Sequence, residues 1–259
     1  MSSGTTRAAV AAGLLAVAGC GISPLSHRIH IGEDPFVVFV ATGVDGHTDL
    51  FAAPAGGGDI VQFTFTPLVE SSPRLRPDGE VVAFLRGRDT AAAAPRDVVL
   101  MNLVSSGETD ITLPADAGRP QALAWSRDAA RLYLRTDRGL WQVTVPPGPP
   151  HPIAVAPADT AAADSALAVW LGDPPFARAI RCPAGGVCIV GPKGDTTTLA
   201  PQGRDPVRWG ADSVAWFDND NLQVRSLGPG VPHRVVWRSM PQRPRQLDYV
   251  PAPSDTGGS

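Results

Sequence analysis

Few residues in this 259-residue chain are equipped for acid–base chemistry, and their spacing argues against a catalytic site. Glutamate occurs at Glu33, Glu70, Glu80 and Glu108 alone, each in a predicted turn or linker. Two-carboxylate hydrolysis of a sugar linkage needs a pair about 5–9 Å apart, and two carboxylates converging so in the central channel would point to that chemistry. Asp78, Asp128, Asp173 and Asp212 recur at equivalent positions, as turn-forming residues do. Asp218-Asn219-Asp220-Asn221 reads as a turn, because no bidentate glutamate follows it to complete a calcium loop. The histidines His27, His30, His47, His151 and His233 are dispersed, so no metal site is expected. Residues 191–196 lack the spacing of a phosphate loop and read as a hairpin turn. There is no Gly-x-Ser-x-Gly elbow, no His-Glu-x-x-His and no Walker loop. A non-enzyme with no cofactor is expected. The net charge of −3 and the scattered arginines, with Lys193 the one lysine, argue against nucleic acid as a partner.

The cysteines have different chemistry available. Arg7 and an apolar run over residues 8–18 precede Val17-Ala18-Gly19-Cys20. A basic start, a short apolar stretch and small residues before a cut are the marks of a secretory signal. The run is too short to cross a hydrocarbon core about 30 Å thick. The last four residues resemble the bacterial lipobox. That resemblance implies cleavage before Cys20, a diacylglycerol thioether on its sulfur and an acylated amino group. Multiple acyl chains hold a protein on a membrane where one does not. Gly21 rather than Asp follows, which gives no inner-membrane retention signal, so the outer membrane is the favoured address. Cys182 and Cys188 remain, an even pair in an oxidising compartment. They are expected to form a disulfide across a tight hairpin.

The elements behind the anchor are set by a repeat. Leu75-Arg76-Pro77-Asp78-Gly79 is echoed by Trp125-Ser126-Arg127-Asp128, Trp170-Leu171-Gly172-Asp173 and Trp209-Gly210-Ala211-Asp212. A period of about 40–50 residues is that of a propeller blade. After each aspartate come short apolar or alternating runs (81–85 and 98–101, 131–134 and 140–143, 176–180 and 187–190, 213–217 and 222–224), then a last strand such as 196–199 or 234–237. The 27 glycines and 27 prolines punctuate turns between them. Runs at 36–40, 49–51 and 60–63 lack a first strand, which residues 246–250 supply from the other end of the chain. The expected fold is all-β, a propeller of about five four-stranded blades closed by the C-terminal strand, with six blades as the alternative.

Residues 73–85, with Asp97-Val98-Val99-Leu100-Met101-Asn102-Leu103 and Ser106-Gly107-Glu108 after them, resemble the TolB-like, WD-repeat-like propeller repeat. In such repeats the Pro-Asp-Gly makes the turn between a blade's first two strands. The resemblance implies architecture rather than a ligand. The TolB protein itself has an extra N-terminal domain and six blades, for which this chain has no room.

The expected organisation is a signal over 1–19, a lipidated linker over 20–35, the propeller over 36–250 and a flexible tail over 251–259. On a propeller, turns between second and third strands share one face with the connections between blades. Those turns carry Asp45, Asp49, Asp89, Asp97, Asp137, Asp218 and Asp220. The connections carry Arg119, Arg204, Arg243 and Arg245, with Trp237 nearby. Such a mixed-charge rim suits docking of an envelope protein or a polar glycan. The expected function is therefore a membrane-anchored, non-catalytic binding or scaffold module, periplasmic or surface-exposed. A carbohydrate-active or lyase-type propeller with degenerate motifs is the alternative. Replacing Cys20 by Ser should abolish incorporation of a clickable palmitate analogue and leave unprocessed or soluble protein. Equal labelling of wild type and variant would refute the lipobox assignment.

Overall fold

The computed structural model describes residues 24–25, 27–88, 96–145, 154–159, 167, 178–209, 212–219, 221–227, 233–238 and 240–250. The expected signal, Cys20, Asp89, His151, Asp173, Asp220 and the tail from 251 lie outside the described residues.

Every element described is a strand, and the strands form antiparallel sheets in chain order. The first sheet joins the two ends of the chain. Its order is β21 (Gln242–Val250), β1 (Phe36–Thr42), β2 (Thr48–Pro54), β4 (Val61–Gln62). The second holds β5 (Val69–Leu75), β6 (Val81–Gly87), β7 (Arg96–Asn102) and β8 (Glu108–Ile111). The third holds β9 (Pro120–Trp125), β10 (Arg131–Thr136), β11 (Leu140–Thr144) and β12 (Ala154–Pro157). The fourth shows β13 (Arg178–Arg181), β14 (Val187–Val190) and β15 (Thr196–Ala200), and the repeat echo at 170–173 lies outside the described residues. The fifth holds β16 (Arg204–Trp209), β17 (Ser213–Asp218), β18 (Asn221–Ser226) and β19 (His233–Val235). A two-residue parallel pair, β3 (Gly58–Asp59) with β20 (Trp237–Arg238), links the fifth sheet to the first.

Successive side chains of a strand point to opposite faces of its sheet. A run that is apolar at every position must therefore be covered on both faces. β1 shows how. Phe36, Val38 and Val40 pack with Val82 and Phe84 of the second sheet, while Val37, Phe39 and Ala41 pack with Ala215 and Phe217 of the fifth. β6 repeats the division, with Val82 and Phe84 facing the first sheet and Val81, Ala83 and Leu85 facing Leu132 and Leu134 of the third. β17 does the same, Val214 and Trp216 against the fourth sheet and Ala215 and Phe217 against the first. Each middle sheet is a slice between two neighbours. Phe39 centres one such interface, stacked on Trp237 at 5.5 Å between centroids and edge-on to Phe217 at 5.8 Å.

Two boundaries move from the expected ones. The closing strand begins at Gln242 rather than Gln246, with register shifts between Val38, Val40 and Thr42 where it bulges. The expected linker is in part packed, because Leu25 and Ile29 are fully buried against the first and second sheets. Cys182 and Cys188 flank a hairpin whose Cys182 N donates to Gly186 O, and their sulfurs stand at a bonding distance of 2.13 Å. Gly186 has φ +83°, and a Cβ there would meet Ala200 O at 2.3 Å, so the turn needs glycine.

β21 is the strand on which this assembly can be tested. Its Leu247 is fully buried in the interface of the first and fifth sheets. Ending the chain after Pro241 uncovers an edge of β1 and that apolar face, costing more than the roughly 5–15 kcal/mol a domain has in reserve. Ending it after Val250 removes a Pro/Ser/Gly tail. Thermal melts of both truncations, made without residues 1–20, should give no cooperative transition for the first and an unchanged melting temperature for the second. Equal melting temperatures would refute closure by β21.

Candidate functional site

The inner strands run side by side in one direction. Ser72 N donates to Gln246 Oε1 at 2.7 Å and Leu75 N donates to Asp248 Oδ2 at 2.6 Å, so β5 and β21 advance together. Arg204 Nη2 donates to Pro244 O at 2.8 Å and Trp209 stacks on Tyr249 at 4.5 Å, which ties β16 to β21 in the same sense. Arg74 Nε donates to Leu123 O and Trp125 Nε1 to Arg74 O, joining β5 to β9. Within the sheets, Thr42 opposes Gln242, Gly87 opposes Val69, Thr136 opposes Pro120 and Phe217 opposes Arg204. The starts of the inner strands and the turns after β1, β6, β10 and β17 therefore lie at one end of the molecule, here the rim end. The other end, where β1 begins and β21 finishes, is the base.

The rim end holds most of the charged residues expected there. Asp45, Asp97, Asp137, Arg119 and Arg243 lie on it, with Asp218, Arg204 and Arg245 partly buried. Several are already partnered. Asp137 accepts from Arg119 N at 2.7 Å and Arg119 Nε at 3.0 Å, and these bonds hold its carboxyl below the usual range. That approach requires Gly118, where a Cβ would lie 2.2 Å from Asp137 Oδ1. Asp45 Oδ1 accepts from His47 N within its own turn. Arg204 lies over the Phe217 ring at 5.8 Å. The turn aspartates belong to the base end: Asp78 accepts from Glu80 N, Asp128 from Ala130 N, and Asp212 from the hydroxyls of Ser213 and Ser226.

Three expectations need correction. Trp237 is no rim residue. It is buried against Phe39 and donates Nε1 to Pro54 O near the base, because an indole this apolar fills the gap between the first and fifth sheets. Asp49 is fully buried beneath the β1–β2 turn, accepting from Gln62 Nε2 at 3.1 Å and Thr66 N at 3.3 Å. Glu70 lies inside β5, fully buried, rather than in a linker. Its Oε2 accepts from the Thr64 hydroxyl, and its Oε1 accepts Arg86 Nε and Nη2 at 3.0 and 2.9 Å. Arg86 in turn forms a two-bond fork with Glu108, at 2.6 and 2.7 Å. Burial pushes the carboxyls of Asp49 and Glu70 up, against the hydrogen bonds and Arg86, which pull them down. No buried side-chain polar atom among the described residues lacks a partner.

One feature of the rim end and the inner strands is readable in the sequence. Pro73, Pro120, Pro206 and Pro244 each fall on an inner strand and are buried. Proline has no N–H to leave unpaired, so it is tolerated on an edge strand. Ser72, Asp205 and Arg243, just before three of these prolines, have φ of 55°, 50° and 53°. Val44 and Phe65 stand exposed at the same end, in the β1–β2 turn and the connection to β5.

No protein-family model and no curated protein matches the sequence. Solved structures superpose loosely. TolB from Acinetobacter baumannii gives a TM-score of 0.40 at 13% identity over 88% of this chain and 69% of that one. A TolB structure from Agrobacterium tumefaciens, described as putative, gives 0.37 at 15% over 85% and 74%. A structure described as a putative 6-phosphogluconolactonase from Bacteroides uniformis gives 0.41 at 12% over 84% and 100%. Superpositions this loose leave function to be argued from this chain's own residues.

The buried acids predict a pH dependence. A carboxyl whose folded pKa is raised keeps its proton to higher pH in the folded state than in the unfolded one. Its stabilising effect is therefore present at low pH and lost as pH rises above the ordinary range near 4. The charges acting on Asp49 and Glu70 are Asp45, His47, Arg86 and each other, with Glu108 on the far side of Arg86. On lowering the pH from 7 toward 4, the melting temperature of wild type should rise relative to that of Asp49→Asn. A difference that does not change with pH would refute the assignment.

Proposed function

We propose that this chain is a lipid-anchored, extracytoplasmic binding protein. Its five sheets form a closed five-bladed propeller that presents its rim end to a partner protein. The observation that carries the reading is the opposition of tether and rim. Leu25 and Ile29 are buried in the core, Arg28 pairs with Asp59 of β3, and Ala55 N donates to Pro35 O, so the chain enters at the base. Leu25 is five residue steps from Cys20, a reach of at most roughly 18 Å. An acylated Cys20 would hold the base close to a bilayer and turn the rim outward.

Further support comes from the sheets themselves. Sheets that bury both faces against neighbours, with inner strands running in one direction, are what a propeller requires. The rim offers charge of both signs around two exposed apolar side chains, Val44 and Phe65, the composition of a docking surface with an apolar centre and a polar border. Asp49 and Glu70 are the acids an enzymatic reading would recruit. Their hydrogen bonds to Gln62, Thr66, Thr64 and Arg86 instead pin the connection between β4 and β5 to the two sheets it links.

A photo-crosslinking residue placed at Val44 of the lipidated protein should give protein adducts in intact cells. The same residue at Val104, exposed at the base in the turn after β7, should give few. Adducts of equal yield from both positions, or from Val104 alone, would overturn the proposal.

A further inference from the structure

The outer strands of the sheets differ in how they guard their free edges. An unpaired strand edge offers a row of N–H and C=O groups to any other extended chain, and proteins blunt it with charge, proline, shortness or a covering segment. β4 is two residues long, and the connection after it is fastened back to β2 through Thr64 and Thr66. β8 carries exposed Glu108 and Asp110. β12 ends in Pro157, and β19 has three residues with Arg234 among them. β15 has none of these guards. Its five residues, Thr-Thr-Thr-Leu-Ala, hold no charge and no proline, and Thr196, Thr197 and Thr198 are all exposed.

The hairpin before β15 fixes which of its groups face outward. Gly191 N donates to Asp195 O and Gly194 N to Gly191 O, both at 2.9 Å, so Gly191 and Asp195 oppose each other as a hydrogen-bonded pair. Opposed residues of an antiparallel ladder alternate between bonded and non-bonded pairs. Thr197, opposite Ile189, therefore turns its N–H and C=O toward β14, while Thr196 and Thr198 turn theirs to the free edge. The outward groups recur about 6.8 Å apart, the repeat of every second residue in another extended backbone. Among the described residues, no main-chain bond reaches them. Cys188 of β14, opposite Thr198, is bonded to Cys182 just after β13, so the sheet holds this edge in a fixed shape. A preformed edge spares an incoming strand part of the ordering cost of binding. Charge marks the two ends. Asp195 is exposed beside Thr196. At the other end Arg225 of β18 donates Nη1 to Leu199 O at 3.0 Å, which places a guanidinium there.

We propose that the free edge of β15 takes up an extended segment of a partner protein, which adds to the fourth sheet as an antiparallel strand. The segment that fits is free of proline. It carries an acidic residue opposite Leu199, beside Arg225, and a basic residue opposite Asp195, with three uncharged residues between them. Main-chain hydrogen bonds to Thr196 and Thr198 supply the affinity, and the charges at the ends set the direction. This edge runs along the outside of the fourth sheet and needs neither the lipid anchor nor a partner at the rim.

The test uses the full chain in a non-ionic detergent, isotopically labelled on its threonines, and the capped peptide Glu-Val-Thr-Val-Lys. The peptide should shift the amide signals of Thr196 and Thr198 saturably, and that of Thr197, already bonded to β14, far less. The reversed peptide Lys-Val-Thr-Val-Glu should bind about fivefold or more weakly, because each end then meets like charge. A peptide N-methylated on both valines should not bind, since those N–H groups are the ones that face Thr196 and Thr198. Thr198→Pro removes an outward donor and no ladder bond, so it should melt at the wild-type temperature and bind roughly tenfold more weakly. Absence of saturable shifts, or equal binding by the reversed or the N-methylated peptide, would overturn the site. Concentration-dependent dimerisation of wild type that Thr198→Pro abolishes would overturn it too, because the edge would then be taken by a second copy.

Discussion

The structure depends on one strand being held from several directions at once. β21 pairs with β1 along its length, takes backbone donors of β5 on Gln246 and Asp248, and gives Pro244 O to Arg204 and Tyr249 to Trp209 of β16. A strand from the end of the chain thereby joins the first sheet to the fifth. Uncovered apolar sheet faces and edges invite association with other chains. The side chain-to-backbone bonds matter because inner strands of adjacent sheets have no ladder between them. Each Gln246 or Asp248 bond replaces a lost backbone partner with a side chain of fixed length, and so sets how far apart neighbouring sheets sit.

That spacing explains the composition of the middle strands. Between two neighbours, every side chain of β1 or β6 needs an apolar partner, and alternation of apolar and polar residues disappears. Large and small residues then have to be matched across the interfaces. Phe39 meets Phe51, Phe217 and Trp237 on one side, while Ala41, Ala53 and Ala215 leave room for them. The outer strands behave differently. β8 and β15 carry exposed Thr, Glu and Asp residues because one of their edges meets solvent.

The architecture was legible because this burial rule writes itself into short apolar runs. Residues 81–85 and 213–217, apolar at nearly every position, became middle strands at those places. The C-terminal partner of β1 was legible because a strand was missing at one end and present at the other. The site was less so. Trp237 looks like a surface aromatic beside arginines in sequence, yet its partners Phe39 and Pro54 are nearly two hundred residues away. Glu70 has no local mark of burial; its ion pair with Arg86 arises from cross-strand register, Glu70 opposing Arg86. Asp49 is buried by the returning connection through Thr66, which nothing adjacent to it specifies. Contacts made by pairing across strands are not encoded near the residues that make them.

The inner prolines connect these two parts of the fold. An inner strand has a ladder on one edge only. A buried proline in each of β5, β9, β16 and β21 leaves no N–H unpaired on the strand's free edge. It also disfavours the right-handed helical region for the residue before it, which is then found in left-handed or extended geometry. Ser72, Asp205 and Arg243 take the left-handed option, and the strand bulges around each. In an extended strand the side chains at 243 and 245 would share one face of the sheet. With the bulge, Arg245 opposes Val40 while Gln242 opposes Thr42, so Arg243 and Pro244 are the extra residues between two successive pairs. The same local distortion that spares the edge an unpaired donor therefore takes Arg243 out of the ladder. The pairing of the two ends of the chain and the displacement of Arg243 are both features of one irregular strand.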